Sequence, residues 1–214
     1  MIKAIWFVSR PADLDPYAFS QHWFERHGPY CLTAPGMRRY MQHHTHAAAA
    51  AVGAPVTHDG CSTVEFDSVE AFYSAETSPP WQRLSLDANQ GVFGGRPLFA
   101  RPLQFAIGAE QVIVDGLTRP SMIKAILLLG RPGGTGWAGR AALASSLPSL
   151  RRYTQIHRVE TGDARITHDG WEEYWFDDLP DILGIAEAPD WRELVGTSQG
   201  FVLARERPML RGGA

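Results

Sequence analysis

Short apolar runs separate the solvated stretches of this chain. Two of them, Ile2–Val8 and Ile123–Leu129, consist mostly of large apolar side chains and stop at Ser-Arg-Pro and Gly-Arg-Pro. Continuous apolar runs of this length that end in turn residues are typical of buried strands. The pattern therefore predicts a buried strand followed by a turn at the start of each half of the chain.

A helix is predicted after the first strand. Asp15 can cap the first amides of a helix, and the proline that follows it is tolerated in the first turn. At fourfold spacing, Phe19, Trp23 and His27 share one stripe of this helix, so we expect all three side chains to point inward. Pro29 cannot donate to the helical hydrogen bonds, so the helix should kink or end near His27.

The later pattern repeats one order of elements in both halves. Strands are predicted at residues 37–46, 61–66 and 98–107 and again at 150–159, 171–176 and 200–209, with a loop at 47–55 and a helix after the third strand of each half. The order strand, helix, strand, strand, helix, strand is compatible with a ferredoxin-like antiparallel sheet that carries its helices on one face. A polar linker at 115–120 divides the chain into two expected units, residues 1–115 and 121–214.

The two halves also share sequence. MIKAI occurs at Met1 and again at Met122, and three further pairs follow in the same order: residues 38–44 with 151–157, 57–60 with 167–170, and 78–81 with 188–191. Two copies are too few for an open solenoid, which needs about three or more repeats. We therefore expect a closed pair in which each half buries a face of the other.

Composition excludes several classes of protein. The 214 residues are 44% hydrophobic and 20% charged, which is the composition of a globular protein with a sizeable core. A net charge of -3 gives no basic field for nucleic acid. No apolar stretch reaches membrane-spanning length and the first residues lack a signal-peptide pattern, so we expect a cytoplasmic protein. Cys31 and Cys61 have no zinc or disulfide spacing and are expected to be small buried side chains.

Strand alternation separates a repeated face from a variable one. The repeated face carries Arg, Tyr, Gln and His in both copies: Arg38, Tyr40, Gln42 and His44, then Arg151, Tyr153, Gln155 and His157. On the opposite face only an arginine recurs. A solvated face has no physical reason to keep four polar residues fixed, so we expect this face to be enclosed. If the two sheets pack face to face, it lines the space between them.

Several histidines are candidates for catalysis or metal binding. Burial would keep His27 neutral and able to accept a proton, although a histidine satisfied by a backbone carbonyl fits the same pattern. His58 and Asp59 precede a glycine, and Asp-Gly before a strand predicts a turn in the first place. An imidazole oriented by a carboxylate is the second interpretation. The histidines within residues 43–46 are not favoured as a metal site, because alternation places only two of them on one face and no carboxylate adjoins them.

Several motifs of the first half form a specific set: Trp23, Arg-His-Gly-Pro at 26–29, Pro-Gly-Met-Arg-Arg-Tyr at 35–40, Asp-Gly at 59–60, Phe-Asp-Ser at 66–68 and Ser-Pro-Pro-Trp at 78–81. Together they resemble the EthD family, and a fainter resemblance continues from Met122. The resemblance implies tandem EthD domains in a dimeric α+β barrel, here closed within one chain. The family includes proteins tied to ether degradation, polyketide-modifying enzymes and isomerases of ring-cleaved aromatic compounds.

The two halves depart from the family pattern differently. Three residues after Asp-Gly the family usually has a glutamate, which the second half keeps as Glu173 and the first half replaces with Thr63. The second half, in turn, lacks the Arg-His-x-Pro element that holds His27. Of the two cavities that such a pseudo-dimer implies, we expect the one in the first half to be the site.

Acid and base residues without a cofactor motif indicate proton transfer on a small carbonyl, phenolic or dienoate compound, as in a cofactor-independent isomerase or lyase. In this hypothesis His27 is the general base, Tyr40 donates a hydrogen bond to a developing enolate, and Arg38 anchors a carboxylate. The predicted catalytic residues are His27, Tyr40, His44 and His58, and the predicted substrate-binding residues are Trp23, Arg38, Gln42, Tyr153 and Glu173.

Two other functions stay open at this point. One is an oxidative enzyme, either cofactor-free or with haem ligated by His44 or His157. The other is a carrier for a hydrophobic metabolite, against which the unequal polar residues of the two halves count. In every case the expected partner is a small molecule. Two such chains can also pair as a homodimer.

Overall fold

The computed structural model describes residues 1–54, 56–91, 95–130 and 136–209, and its centre is a closed barrel of antiparallel strands. In chain order the strands are β1 (Ile2–Val8), β2 (Met37–His44), β3 (Gly60–Phe66), β4 (Gln104–Val114), β5 (Ile123–Leu129), β6 (Leu150–Arg158), β7 (Gly170–Phe176) and β8 (Gly200–Pro208). Around the barrel they follow the order β1-β3-β2-β8-β5-β7-β6-β4, and β4 pairs with β1 to close the ring.

Each half of the chain supplies one continuous arc of this barrel. β4, β1, β3 and β2 form the first arc, and β8, β5, β7 and β6 form the second. β2 pairs with β8 and β4 pairs with β6, so each seam joins one half to the other. The predicted fold, two ferredoxin-like repeats that form one α+β barrel with antiparallel sheets, is confirmed.

Helices cover the outside of both arcs. They are α1 (Pro16–His22), a π-helical segment (Trp23–His27), α2 (Gly28–Cys31), a 3-10 helix (Ala47–Val52), α3 (Val69–Glu76), α4 (Pro79–Gln90), α5 (Trp137–Ser145), α6 (Leu179–Gly184) and α7 (Pro189–Gly196). Asp15 caps α1 as expected, since its carboxylate accepts a hydrogen bond from the Ala18 amide. None of the helices in the described ranges is long and apolar enough to cross a membrane.

Three predicted elements differ in detail. The predicted loop at 47–55 contains the 3-10 helix, and the last strand of the first half starts at Gln104 rather than at residue 98. The second helix of each half is divided into two. In the first half the break falls where Ser78 caps α4 and Pro79 enters its first turn, because proline has no amide to continue the preceding helix.

Both faces of the barrel are buried, in separate layers. The lumen holds one apolar cluster: Ile5, Phe7, Cys61, Ala106, Ile126, Leu128, Ile156, Trp171, Val202 and Ala204. The outward faces of the two arcs pack against the helices in three further clusters, one in the second half and two in the first. Cys31 and Cys61 are buried free thiols, as predicted.

The halves exchange segments across the seams. Ala49 and Val52 of the first half lie in the helix-covered core of the second half, where Trp191 Nε1 donates to the Val52 carbonyl at 2.8 Å. In return, Ile166 of the second half joins the core of the first half, and Tyr73 Oη donates to Asp163. The two units therefore share their cores as well as their barrel.

Candidate active site

A cavity of about 190 Å³ lies between the outer face of the first arc and helices α1–α4. Its walls are largely aromatic and aliphatic, and its polar lining includes His27, Tyr40 and Ser62. Arg101 and Arg165 line its exposed end. A small, mostly apolar cavity with a few convergent polar groups has the character of a ligand site.

His27 is the titratable imidazole of this cavity, and a carboxylate orients it. The ring is buried, with 6% of its surface exposed. Its Nδ1 donates to Asp87 Oδ2 at 2.8 Å, and His22 Nε2 donates to Asp87 Oδ1 at 3.1 Å. Phe99 packs edge-on against the imidazole, with the ring centroids 5.2 Å apart. Because Asp87 accepts from Nδ1, the lone pair of His27 is on Nε2, for which the described residues provide no partner.

Burial and Asp87 act on the His27 pKa in opposite directions. Burial lowers the pKa of His27 and dominates, while the hydrogen bond to Asp87 and its negative charge raise it. Burial also works to raise the pKa of Asp87, but the hydrogen bonds from His27 and His22 lower it on balance. At neutral pH the pair is therefore a neutral imidazole beside an ionised carboxylate, which is the protonation state of a general base.

A π-helical turn places His27 at the cavity. The helix continues past Trp23 with wider hydrogen bonds, so that the Gly28 amide donates to the Trp23 carbonyl. Gln42 Nε2 donates to the same carbonyl at 2.8 Å. A Cβ on Gly28 would lie 3.1 Å from Gln42 Nε2, so glycine permits this close approach. The helix was predicted to kink or end near His27; it continues there, and the irregularity is a π turn that closes at His27, a feature that is frequent at functional sites.

Tyr40 supplies a hydroxyl to the same cavity. It is 2% exposed, and its oxygen accepts a hydrogen bond from Gln42 Nε2 at 2.7 Å. Burial raises the pKa of Tyr40 well above its ordinary value, so the phenol keeps its proton and can donate it. Burial also raises the pKa of the neighbouring Cys31 thiol to about 12, which makes that thiol a poor nucleophile.

The repeated Arg-Tyr-Gln-His face is enclosed, but by the helices and not between the sheets. Tyr40 and Gln42 are buried under the helices of the first half, while Met41 and His43 are on the lumen side. Closing the sheet into a barrel gives both faces a covered environment, so alternation separates the faces without showing which one points inward. Arg38, predicted to anchor a carboxylate of the substrate, does not line the cavity. A bulge at the start of β2 leaves it exposed, and it pairs with Asp67 instead.

The same strand-to-helix contact recurs in the second half. Gln155 Nε2 donates to the Trp137 carbonyl at 2.8 Å and to Tyr153 Oη at 2.7 Å, as Gln42 does with Trp23 and Tyr40. We call these two contacts the glutamine pins. Their repetition explains why these polar residues are the same in both copies: each pin fastens a helix to its sheet.

The second half fills the space that is open in the first. Glu172 and Tyr174 occupy the positions of Ser62 and Val64, and Arg140 Nη2 donates to Glu172 at 2.6 Å. The hydroxyls of Tyr153 and Tyr174 also donate to this carboxylate. We call this buried group, Arg140, Tyr153, Glu172 and Tyr174, the plug. Tyr153 therefore lies in the plug and does not complete the first cavity.

His44 and His58 do not line the cavity. Both ring nitrogens of His44 are bonded, Nδ1 to the Ser20 hydroxyl at 2.8 Å and Nε2 to Gln42 Oε1 at 3.0 Å, and its ring packs on Trp23. His58 bonds to the neighbouring Thr57 hydroxyl, while Asp59 accepts from the Arg10 amide. The His58-Asp59 pair is therefore arranged as a turn, in which the carboxylate bonds to Arg10 and not to the imidazole.

Glu173 lies in the barrel lumen, on the opposite side of the sheet from the plug. Its carboxylate pairs with Lys124 at 2.8 Å and accepts from Trp171 Nε1 at 2.9 Å. Burial works to raise the pKa of Glu173, but Lys124 and Lys3 lower it far below the ordinary range. Glu173 is thus an ionised member of an ion pair in the lumen. Successive residues of a strand point to opposite faces, so Glu173 faces the lumen while Glu172 faces the helices.

The surroundings of His27, His44 and His157 do not suit a haem. Both ring nitrogens of His44 form hydrogen bonds to side chains. His157 bonds to Gln111 and does not line the cavity next to His27. His27 has a ligand-like geometry, but the cavity of about 190 Å³ is below the roughly 300 Å³ of ordinary drug-sized pockets, so a tetrapyrrole does not fit. Within the described ranges, no cluster of three or more His, Cys, Asp or Glu side chains is placed to hold a metal ion.

Sequence reasoning missed Asp87 and Arg101. Asp87 follows Leu84 by three positions on α4 and so shares its inward stripe, which is a signal that a buried carboxylate faces the sheet. Arg101 lies in an irregular segment before β4, and no periodicity marks it.

Two of the solved structures that this chain is similar to, an anthrone oxidase-like protein and a candidate chlorite dismutase, show the fold. The anthrone oxidase-like protein aligns over 100% of this chain and 95% of its own, with a TM-score of 0.63 and 10% identity. The candidate chlorite dismutase aligns over 96% and 94%, with a TM-score of 0.52 and 10% identity. An EthD family protein from Bacillus halodurans aligns over 52% and 99%, with a TM-score of 0.40 and 24% identity.

Sequence comparison gives the family of the first half. A comparison with curated proteins found no match. The model of the EthD domain matches residues 11–93, which span α1 to α4 and therefore His27, Tyr40 and Asp87. The EthD character of the second half stays a prediction. The chain thus carries an EthD domain at residues 11–93, within an α+β barrel that both halves close.

Proposed function

We propose that the cavity of the first half is the active site of a cofactor-independent enzyme that transfers a proton on a small carbonyl or phenolic compound, as an isomerase or a lyase. The observation that carries this proposal is the hydrogen bond of 2.8 Å between His27 Nδ1 and Asp87 at a buried, mostly apolar cavity. A base oriented by a second group is the usual arrangement for general base catalysis.

The chemistry starts at His27 Nε2. This nitrogen removes a proton from a carbon beside the substrate carbonyl, and the electron pair of the C–H bond moves to the carbonyl oxygen to give an enolate. Tyr40 donates a hydrogen bond to that oxygen, while Asp87 stabilises the imidazolium. Return of the proton to another carbon completes an isomerisation, and its transfer to a departing group completes an elimination.

Oxidation by O2 is the second candidate, because it begins with the same proton removal. The carbanion would then react with O2 without a metal, in a cavity whose apolar walls exclude water. The lack of space for a tetrapyrrole favours this route over a haem enzyme. A carrier that binds its ligand unchanged is the third reading, and it gives no function to the Asp87–His27 pair.

The test uses 2-tetralone, a bicyclic ketone with acidic carbon-bound protons. We expect the protein to accelerate exchange of these protons in D2O by on the order of 100-fold over buffer, followed by NMR, and His27→Asn to remove the acceleration. His58→Asn is the control, since this histidine lies outside the cavity and should leave the rate unchanged. Full exchange activity in the His27 variant would exclude it as the base.

The same assay separates the other readings. Consumption of O2 together with exchange would identify the oxidase, and tight binding without exchange would identify the carrier. Asp87→Asn should slow exchange about 10-fold and move the acid limb of the pH profile to lower pH, because Asp87 raises the pKa of His27. An unchanged pH profile would show that Asp87 does not act through the imidazole.

A further inference from the structure

The two arginines at the open end of the cavity differ in their partners. Arg165, from the second half, is paired with two carboxylates, Glu76 at 2.7 Å and Asp163 at 2.6 Å, and Glu76 also lines the cavity. Arg101 donates only to the neutral amide oxygen of Asn89, at 2.7 Å. Among the described residues, Arg101 is therefore a cation of the cavity lining that no carboxylate pairs with.

The walls favour a flat, apolar ligand. Trp6 and Trp81 contact each other, with ring centroids 6.0 Å apart and the rings tilted by 53°, and both line the cavity as one aromatic wall; Leu84 and Phe99 add further apolar surface. An apolar cavity of roughly 150 Å³ takes a benzene ring. A cavity of about 190 Å³ with an open end accommodates one ring or two fused rings, with a substituent that projects toward the arginines.

The polar groups at the two ends are of different kinds. The buried end has the neutral His27 and the protonated Tyr40, which suit a carbonyl or phenol. The exposed end has the guanidinium of Arg101, whose planar donors suit a carboxylate or another acidic group. A ligand that satisfies both ends carries an acidic group at one side and a carbonyl or phenol at the other.

We propose that this cavity selects planar aromatic or enone compounds of one or two rings that carry an acidic group, and that Arg101 binds the acid. The inference rests on the proposed function for the orientation of the ligand, since it places the reacting carbon at His27. It assigns to Arg101 the anchoring role that sequence reasoning gave to Arg38, which the fold places on the surface with Asp67.

The experiment compares 2-naphthoate with the neutral 2-naphthamide by isothermal titration calorimetry at low salt. The wild-type chain should bind the acid about 10-fold more tightly than the amide, because a charge-assisted pair adds to the same ring contacts. Arg101→Gln should bring the ratio near one. Arg83→Gln is the matched control: this arginine is exposed on α4 and does not line the cavity, so the ratio should stay unchanged.

A blocking variant locates the binding. Ser85 lines the cavity from an exposed position on α4, so Ser85→Trp should remove naphthoate binding without disturbing the core. Equal binding of acid and amide by the wild-type chain, no binding of either compound, or an unchanged ratio in Arg101→Gln would each overturn the proposal. Binding that survives Ser85→Trp would place the acid elsewhere and overturn it as well.

The outcomes distinguish this inference from the proposed function. His27→Asn should keep the preference for naphthoate, since the imidazole does not contact the acid end, while it loses exchange of 2-tetralone. A naphthoate preference that depends on Arg101 in a chain without exchange activity would remove the proposed function and leave an acid-binding cavity. Exchange activity without that preference would overturn the acid-binding role of Arg101 and leave the proposed function in place.

Discussion

The two halves of this barrel have the same strands and the same glutamine pins, yet only the first encloses the cavity described above. At the positions where the first half has Ser62 and Val64, the second has Glu172 and Tyr174. Arg140 of the second half turns inward to Glu172, whereas Arg26 at the equivalent helix position is exposed. A few side chains thus convert an open site into a filled core.

This difference reverses the meaning of repetition in the sequence. The residues that recur, above all Gln42 and Gln155, fasten helix to sheet in both halves and serve the fold. The chemistry lies in what does not recur, since His27 and Asp87 correspond to Ala141 and Thr197 in the second half. In a duplicated chain, identity between copies marks shared packing, and divergence marks where one copy specialised.

The largest effect is expected from breaking the plug. Arg140→Met leaves the Glu172 carboxylate buried without its cation, so the free energy of unfolding should fall by about 3–5 kcal/mol. Urea unfolding with an unchanged m-value measures this loss. Arg26→Met, at the equivalent exposed position of the first half, is the control and should change stability by less than about 0.5 kcal/mol.

A double variant sharpens this test. Arg140→Met combined with Glu172→Gln removes the stranded charge, so it should be more stable than Arg140→Met alone. A double variant that is no more stable than the single one would show that the plug acts through packing and not through the buried ion pair.

The next effect compares the glutamine pins. Gln42→Leu and Gln155→Leu each remove one hydrogen bond to a tyrosine hydroxyl and one to a tryptophan carbonyl, which should cost about 1–3 kcal/mol of unfolding free energy in either half. Only Gln42→Leu should also slow exchange of 2-tetralone, because its pin holds Tyr40 at the cavity. An equal loss of exchange in both variants would mean that the halves work as one site.

The fold could be predicted because its signals are local and occur twice. Apolar runs marked β1 and β5, Asp15 marked the start of α1, and the duplication implied closure of a pair. Element ends were less accurate where tertiary contacts decide them. The 3-10 helix at Ala47–Val52, for example, is fixed by packing on the other half, which its own alanine-rich sequence does not encode.

The site could be predicted only in part, for a geometric reason. His27 and Tyr40 were found from a helix stripe and a strand face, which are short-range patterns. The outward orientation of Tyr40, and with it the exclusion of Glu173, depends on barrel closure, because a barrel covers both faces of its sheet. Arg101 and Asp87 approach the cavity from segments distant in sequence, so pairing them with His27 required the fold.

The smallest effect is a pH dependence that differs between equivalent histidines. Burial lowers the pKa of His44 to about 3, whereas an unfolded histidine titrates near 6.5. Between these values the unfolded chain binds a proton that the folded chain does not, so stability falls as pH drops through this window, by up to about 1.4 kcal/mol per pH unit. His44→Gln should reduce the slope measured by urea unfolding between about pH 6 and 5.

His157, the equivalent residue, tests whether burial is the cause. Burial lowers its pKa too, but its ring bonds to Gln111 near the surface of the barrel, whereas His44 is held between Ser20 and Gln42. His157→Gln should therefore change the slope less than His44→Gln does. Equal changes would mean that the two halves bury this histidine to the same degree in solution, and the asymmetry between them would then be confined to the cavity and the plug.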